Sequence, residues 1–172
     1  MKRRRFCALL GTVGVGGTAG CTRLPTSGRD AQFPPAARDA ESDMALDSSP
    51  AERVDVGSRF GVLRPETNGP HDLRVWNDGP ARKITVSVHR NTFPAHEAFE
   101  QAFDLAADAY VSLTLHRPAA YAIVVAAAEA SATVGVDRSN FDCNDSATTV
   151  AVRSDGTFEA STQTTTMGCG PF

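Results

Sequence analysis

The segment LAADAYVSLTLHRPAAYAIVV, residues 105–125, decides the fold. Within it Val111, Leu113 and Leu115 alternate with Ser112, Thr114 and His116, and after Arg117-Pro118 the residues Tyr121, Ile123 and Val125 alternate again. Successive side chains of a strand point to opposite faces, so an apolar residue at every second position fits a strand with one buried face.

The same texture continues on both sides. Leu73 and Val75 alternate with Asp72 and Arg74, Asn77-Asp78-Gly79-Pro80 supplies a turn, and Ile84, Val86 and Val88 alternate with Thr85, Ser87 and His89. Val134 with Val136, Val150 with Val152, and Thr157-Phe158-Glu159 after Asp155-Gly156 add further runs. The stretch HEAFEQAFDLAAD, residues 96–108, admits a helix with Phe99, Phe103 and Ala106 on one face, or a strand in which Phe99, Phe103 and Leu105 share parity. The alternation favours the strand. About seven short strands at this spacing, separated by turn residues, predict an all-β antiparallel sandwich over residues 53–172.

Residues 105–125 also resemble the strand E, corner, strand F passage of immunoglobulin-like and fibronectin-type domains, with Pro118 and Tyr121 in the places of the corner proline and tyrosine. The resemblance implies an immunoglobulin-like sandwich in which the Tyr121 hydroxyl bonds back to upstream backbone. The block from Leu73 to Cys169, with Asp142-Cys143-Asn144 and Met167-Gly168-Cys169, is similar to small lipoproteins of halophilic archaea that carry such a domain. That likeness implies a fold and a location; it transfers no activity.

Location is also written at the N-terminus. Arg3-Arg4-Arg5-Phe6 fits the twin-arginine pattern, here through Arg3, Arg4 and Phe6, and a weakly apolar run diluted by Gly11, Gly14, Gly16 and Gly17 follows. Thr18-Ala19-Gly20-Cys21 ends it as a lipobox, with Thr18 where leucine is usual. Residues 1–20 thus read as an export signal whose removal leaves Cys21 as a lipidated N-terminus. A membrane-spanning anchor needs roughly 20 predominantly apolar residues, more than this stretch offers. Residues 21–52 are rich in Pro, Ser, Ala and Asp without a sustained apolar period, which predicts a disordered tether. The expected place is the outer face of the cytoplasmic membrane.

The chain has 17 basic and 20 acidic side chains, and loss of Lys2, Arg3, Arg4 and Arg5 with the signal leaves 13 against 20, a net charge of −7. No basic cluster of the kind that releases phosphate counterions survives in the sequence, which argues against nucleic acid as a partner. Only Lys83 remains as a lysine. Acidity with arginine in place of lysine suits a salt-loving host, where a Debye length of about 3 Å leaves charge to serve hydration; a GC-rich mesophile shows the same lysine bias.

Cys143 and Cys169 are the cysteines left once Cys7 is cleaved and Cys21 is lipidated. An even pair in an exported chain predicts a disulfide, constraining the unfolded chain by about 3 kcal/mol in the entropy model. His71, His89, His96 and His116 invite a metal reading. A blue-copper centre wants two His, a Cys and a weak Met, but no histidine follows Val125 to join Met167 and Cys169, so no metal site or cofactor is assigned. No catalytic residue is assigned either: the chain has no G-x-S-x-G, H-E-x-x-H or Walker loop.

Asn144-Asp145-Ser146 matches a glycosylation acceptor, or is a polar turn after Cys143. Trp76 falls opposite Leu73 and Val75 in parity, as a rim contact or as part of a buried second face. The sequence therefore predicts a membrane-tethered, non-catalytic binding or accessory module with an unidentified protein partner. A solute or metal carrier is the alternative, and a small hydrolase comes third.

Overall fold

The structure, a computed structural model, describes residues 49–92 and 96–166. Arg3, Arg4, Phe6, Cys21, the tether up to residue 48 and Cys169 lie outside the described residues. Among the described residues nine strands form: β1 (Glu52–Val56), β2 (His71–Asp78), β3 (Arg82–Arg90), β4 (His96–Leu105), β5 (Tyr110–Leu115), β6 (Tyr121–Ala127), β7 (Ala130–Val136), β8 (Ser146–Arg153) and β9 (Phe158–Thr164). They make one five-stranded sheet, β1-β5-β2-β8-β9, and one four-stranded sheet, β4-β3-β6-β7. This is the expected all-β, immunoglobulin-like sandwich, with nine strands rather than about seven.

Two ladders depart from a purely antiparallel expectation, because β1 runs parallel to β5 and β8 parallel to β2. Parallel neighbours need a crossover between them. Here the chain crosses to the other sheet and returns, a long-range feature that local alternation does not encode. The ambiguous segment is a strand: β4 pairs antiparallel with β3, bringing Phe103 opposite Ile84. Phe103 and Leu105 are buried and Phe99 packs beside them, as their shared parity requires.

Alternation sets the core. Leu73, Val75, Leu113 and Val150 from one sheet meet Ile84, Val86, Ile123 and Val125 from the other, all with no exposed surface. Each such side chain contributes about 1.5–3 kcal/mol by leaving water. β5 and β6 lie in different sheets, joined by the predicted corner, where the Tyr121 hydroxyl donates to the Arg117 carbonyl at 2.7 Å.

Strand directions give the sandwich two unlike ends. The chain enters β1 at one end, where the Ala51 N–H donates to the Tyr110 carbonyl at 2.8 Å. There the connections are short: residues 79–81, 106–109, 128–129 and 154–157. We call this the turn end. At the opposite end, the loop end, run the connections 57–70, 116–120 and 137–145.

Candidate functional site

The longest connection, residues 57–70, is held from within. The Arg59 guanidinium donates to the carbonyls of Asn68 at 2.7 Å and Pro65 at 3.0 Å, and the Asn68 side-chain amide donates to the Leu63 carbonyl at 3.0 Å. Arg117, from the corner, donates to the Phe60 carbonyl at 3.0 Å. Gly69 packs against the 137–145 loop, its N–H donating to the Asp142 carbonyl at 2.6 Å; a Cβ there would meet that oxygen at 2.7 Å. The scaffold nonetheless leaves Phe60 87% and Leu63 84% exposed, the large exposed apolar side chains among the described residues. A braced loop that presents apolar side chains to water is the usual look of a contact surface.

Beside that loop lies a cleft of about 350 Å³, lined by Val62, Leu63, Pro118 and Ala119 together with Arg90, Arg117 and Arg138. An adjoining hollow of about 240 Å³ shares Arg90 and Arg117 and adds His96 and Tyr121. The three arginines come from the end of β3, the corner, and a turn of 3-10 helix at Arg138–Asn140. Three carboxylates of this end are occupied elsewhere. Asp137 caps the 3-10 turn by accepting from the Ser139 N–H at 2.7 Å, which lowers its carboxyl below the usual range. Asp142 accepts from the Asn144 N–H at 2.7 Å, and Asp55 pairs with His116 at 2.7 Å.

Among the described residues, then, no carboxylate pairs with Arg90, Arg117 or Arg138. Arg138 donates to the Phe141 carbonyl at 3.1 Å and to Asn68 Oδ1. Arg90 Nε is buried without a hydrogen-bond partner, a costly state for a charged donor. Burial raises the Tyr121 hydroxyl above its ordinary pKa, partly offset by the positive charges of Arg90 and Arg117. Three arginines without an ion-pair partner among the described residues thus sit together on an acidic protein, at the end of the sandwich with the long loops.

At the same end of the sandwich begins a buried polar chain. His71 has no exposed surface; its Nδ1 lies 2.7 Å from Ser146 Oγ and its Nε2 2.9 Å from Thr148 Oγ1. The Ser146 hydroxyl spends its proton on the Asn140 carbonyl at 2.5 Å, so Nδ1 carries the ring proton and donates to Ser146. Nε2 then accepts from Thr148, whose oxygen meets Thr162 at 2.8 Å. Burial pushes the His71 pKa down to about 4, against a smaller opposing effect of the Asn140 carbonyl. His71 also touches Phe141, ring centres 5.6 Å apart, and Phe141 touches Tyr121 at 5.7 Å. The chain ties the β7–β8 loop to β2, β8 and β9.

The four histidines scatter. His71 is in the core, His89 lies on β3 with partial exposure, His96 lines the smaller hollow and His116 pairs with Asp55. No group of three or more potential metal ligands forms among the described residues. Trp76 belongs to a buried second face: 3% exposed beside Tyr110 and Ala151, it donates to Asp108 at 2.9 Å and lies under the Arg153 guanidinium at 5.4 Å.

Asn144 sits in the 137–145 loop with its side-chain amide donating to Asp142 at 3.0 Å. Cys143 is engaged, while Cys169 lies outside the described residues. The sequence reading missed the arginine cleft because its members come from three distant connections. It also missed the core placement of His71, although the shared parity of His71, Leu73 and Val75 carries that signal. No protein-family model matches the chain, and no curated protein gives a significant match.

Proposed function

We propose that the protein is an exported lipoprotein, anchored through Cys21 at the outer face of the cytoplasmic membrane, and that it acts by binding rather than catalysis through its loop end. The observation that carries the reading is the polarity of the sandwich. The chain enters at the turn end, whereas Phe60, Leu63 and the arginine cleft lie at the opposite end, where a tethered domain would present them away from the lipid. The serine and histidine that come within hydrogen-bond reach, Ser146 and His71, are buried, and the serine proton is committed to a backbone carbonyl. That arrangement favours a brace over a nucleophile, which needs access and an oxyanion site. A disulfide between Cys143 and Cys169 would fix the segment after β9 to the 137–145 loop and so stiffen the binding end.

The test is copurification from native membranes of crosslinked, detergent-extracted chain at the host's own salt, with Cys21→Ser as the soluble control. A stoichiometric protein partner retained by the wild type and lost from a folded Phe60→Ser, Leu63→Ser variant is the expected result. Retention unaffected by those two substitutions would overturn the assignment of binding to the loop end. An isolated monomer would move the reading to a solute carrier.

A further inference from the structure

We infer that the cleft between Arg90, Arg117 and Arg138 is a binding site for a carboxylate carried on an apolar stem. The inference deepens the binding-module reading and rests on it. Guanidinium groups are matched by planar oxyanions, because their N–H donors form a fork that a carboxylate accepts two bonds at a time. Here the Arg90 guanidinium has no carboxylate partner among the described residues and its Nε is buried and unbonded, while Asp137, Asp142 and Asp55 are held by Ser139, Asn144 and His116.

The donors still free set the charge of the ligand. Arg117 and Arg138 already donate to the carbonyls of Phe60 and Phe141, while the Arg90 guanidinium makes no hydrogen bond among the described residues. One guanidinium without a hydrogen bond, with two partly committed cations beside it, suits a single negative charge better than a dianion such as phosphate, which asks for more free donors. The remaining wall is apolar, from Val62, Leu63, Pro118 and Ala119. That wall gives a bare ion nothing and an apolar stem a surface to cover. The source of the carboxylate is a small amphipathic acid or the free C-terminus of a peptide; both present the same end group.

The test is calorimetric titration of the full chain carrying Cys21→Ser with N-acetyl-phenylalanine, with Ac-Ala-Ala-Ala-Phe, with the C-terminal amide of each, and with inorganic phosphate. The acids should bind at least about tenfold more tightly than the amides, the difference that loss of a charge-assisted hydrogen bond makes. Arg90→Gln should weaken the acids by a similar factor, and Arg90→Lys, which keeps the charge and loses the fork, by less. Leu63→Ser should weaken acids and amides alike, and serves if Arg90→Gln does not fold. Arg153→Gln, at the turn end, should change nothing.

A tetrapeptide acid that binds tenfold more tightly than the single residue makes a peptide end the source; equal binding makes it a small acid. The inference is overturned if acid and amide bind equally or not at all, if phosphate binds more tightly than the acids, or if folded Arg90→Gln binds as the wild type does. Such a failure alongside a partner still lost from the Phe60→Ser, Leu63→Ser variant would leave the binding-module reading standing.

Discussion

Arg153 and Arg90 are the same residue type at opposite ends of one sandwich, used in opposite ways. Arg153 at the turn end meets Asp78 at 2.9 Å and Glu159 at 2.5 Å and lies over Trp76. Both carboxylates raise its pKa through hydrogen bonds. The Arg90 guanidinium at the loop end has neither a carboxylate nor a hydrogen bond among the described residues. The turn end also spends its polar groups inward. Asn77, fully buried, donates to the carbonyls of Pro80 at 3.0 Å and Ala106 at 2.9 Å, and its backbone exchanges hydrogen bonds with Ala109 and Asp108. The turn end neutralises Arg153 and leaves only Asn77 Oδ1 as a buried unpartnered atom among its described residues; the loop end keeps an unpaired cation and apolar surface in reserve. The difference separates residues that hold the fold from residues that await a partner.

Asn77→Ala tests the turn end hardest. It strands the part-buried carbonyls of Pro80 and Ala106 and should cost about 3 kcal/mol, since each unsatisfied group costs about 1–3, while carboxylate binding at the loop end stays intact. Thermal unfolding and titration of the same variant read both.

Acid tests the brace beneath the loop end. The pKa of His71 is lowered to about 4 in the fold from 6.5 unfolded, so between those values the unfolded chain binds the extra proton and stability falls as pH falls. The stabilisation is complete above about pH 6.5 and is lost by about pH 4, roughly 3 kcal/mol at 1.36 kcal/mol per unit. Denaturant unfolding across that window should show the slope in the wild type and lose it in His71→Gln.

The corner should matter less. Tyr121→Phe removes one neutral hydrogen bond to Arg117 and should cost about 1 kcal/mol, measured as a shift in the denaturant midpoint. Smallest of all is the contrast that defines the two ends. Arg153→Gln should cost up to about 1 kcal/mol from partly exposed ion pairs and the contact with Trp76, whereas Arg90→Gln should leave stability within about 0.5 kcal/mol. A larger loss for Arg90→Gln would make that arginine a structural residue and erase the contrast.

Parity made most of the sandwich readable before any coordinates. The run from Val111 to Leu115 and the run from Tyr121 to Val125 gave two strands, the corner between them, and the place of the tyrosine whose hydroxyl reaches Arg117. Even the strand over His96–Leu105 followed from Phe99, Phe103 and Leu105. What stayed hidden was nonlocal. The parallel pairing of β1 with β5 joins residues far apart in sequence, and nothing in ERVDV names its neighbour. Arg90, Arg117 and Arg138 likewise look like solvated charges one at a time, and only the topology gathers them. Charge balance over the whole chain pointed the other way, because acidity spread over the surface conceals a local excess of arginine.

The parallel ladder of β1 and β5 also has a mechanical consequence. A load applied at Ser49 and resisted at the loop end acts along β1, from Glu52 toward Val56, so the β1–β5 hydrogen bonds are sheared together rather than peeled one after another. Pulled that way the edge strand would resist as a unit, and a domain leashed at one end and gripped at the other could carry tension without first unravelling where the leash is attached.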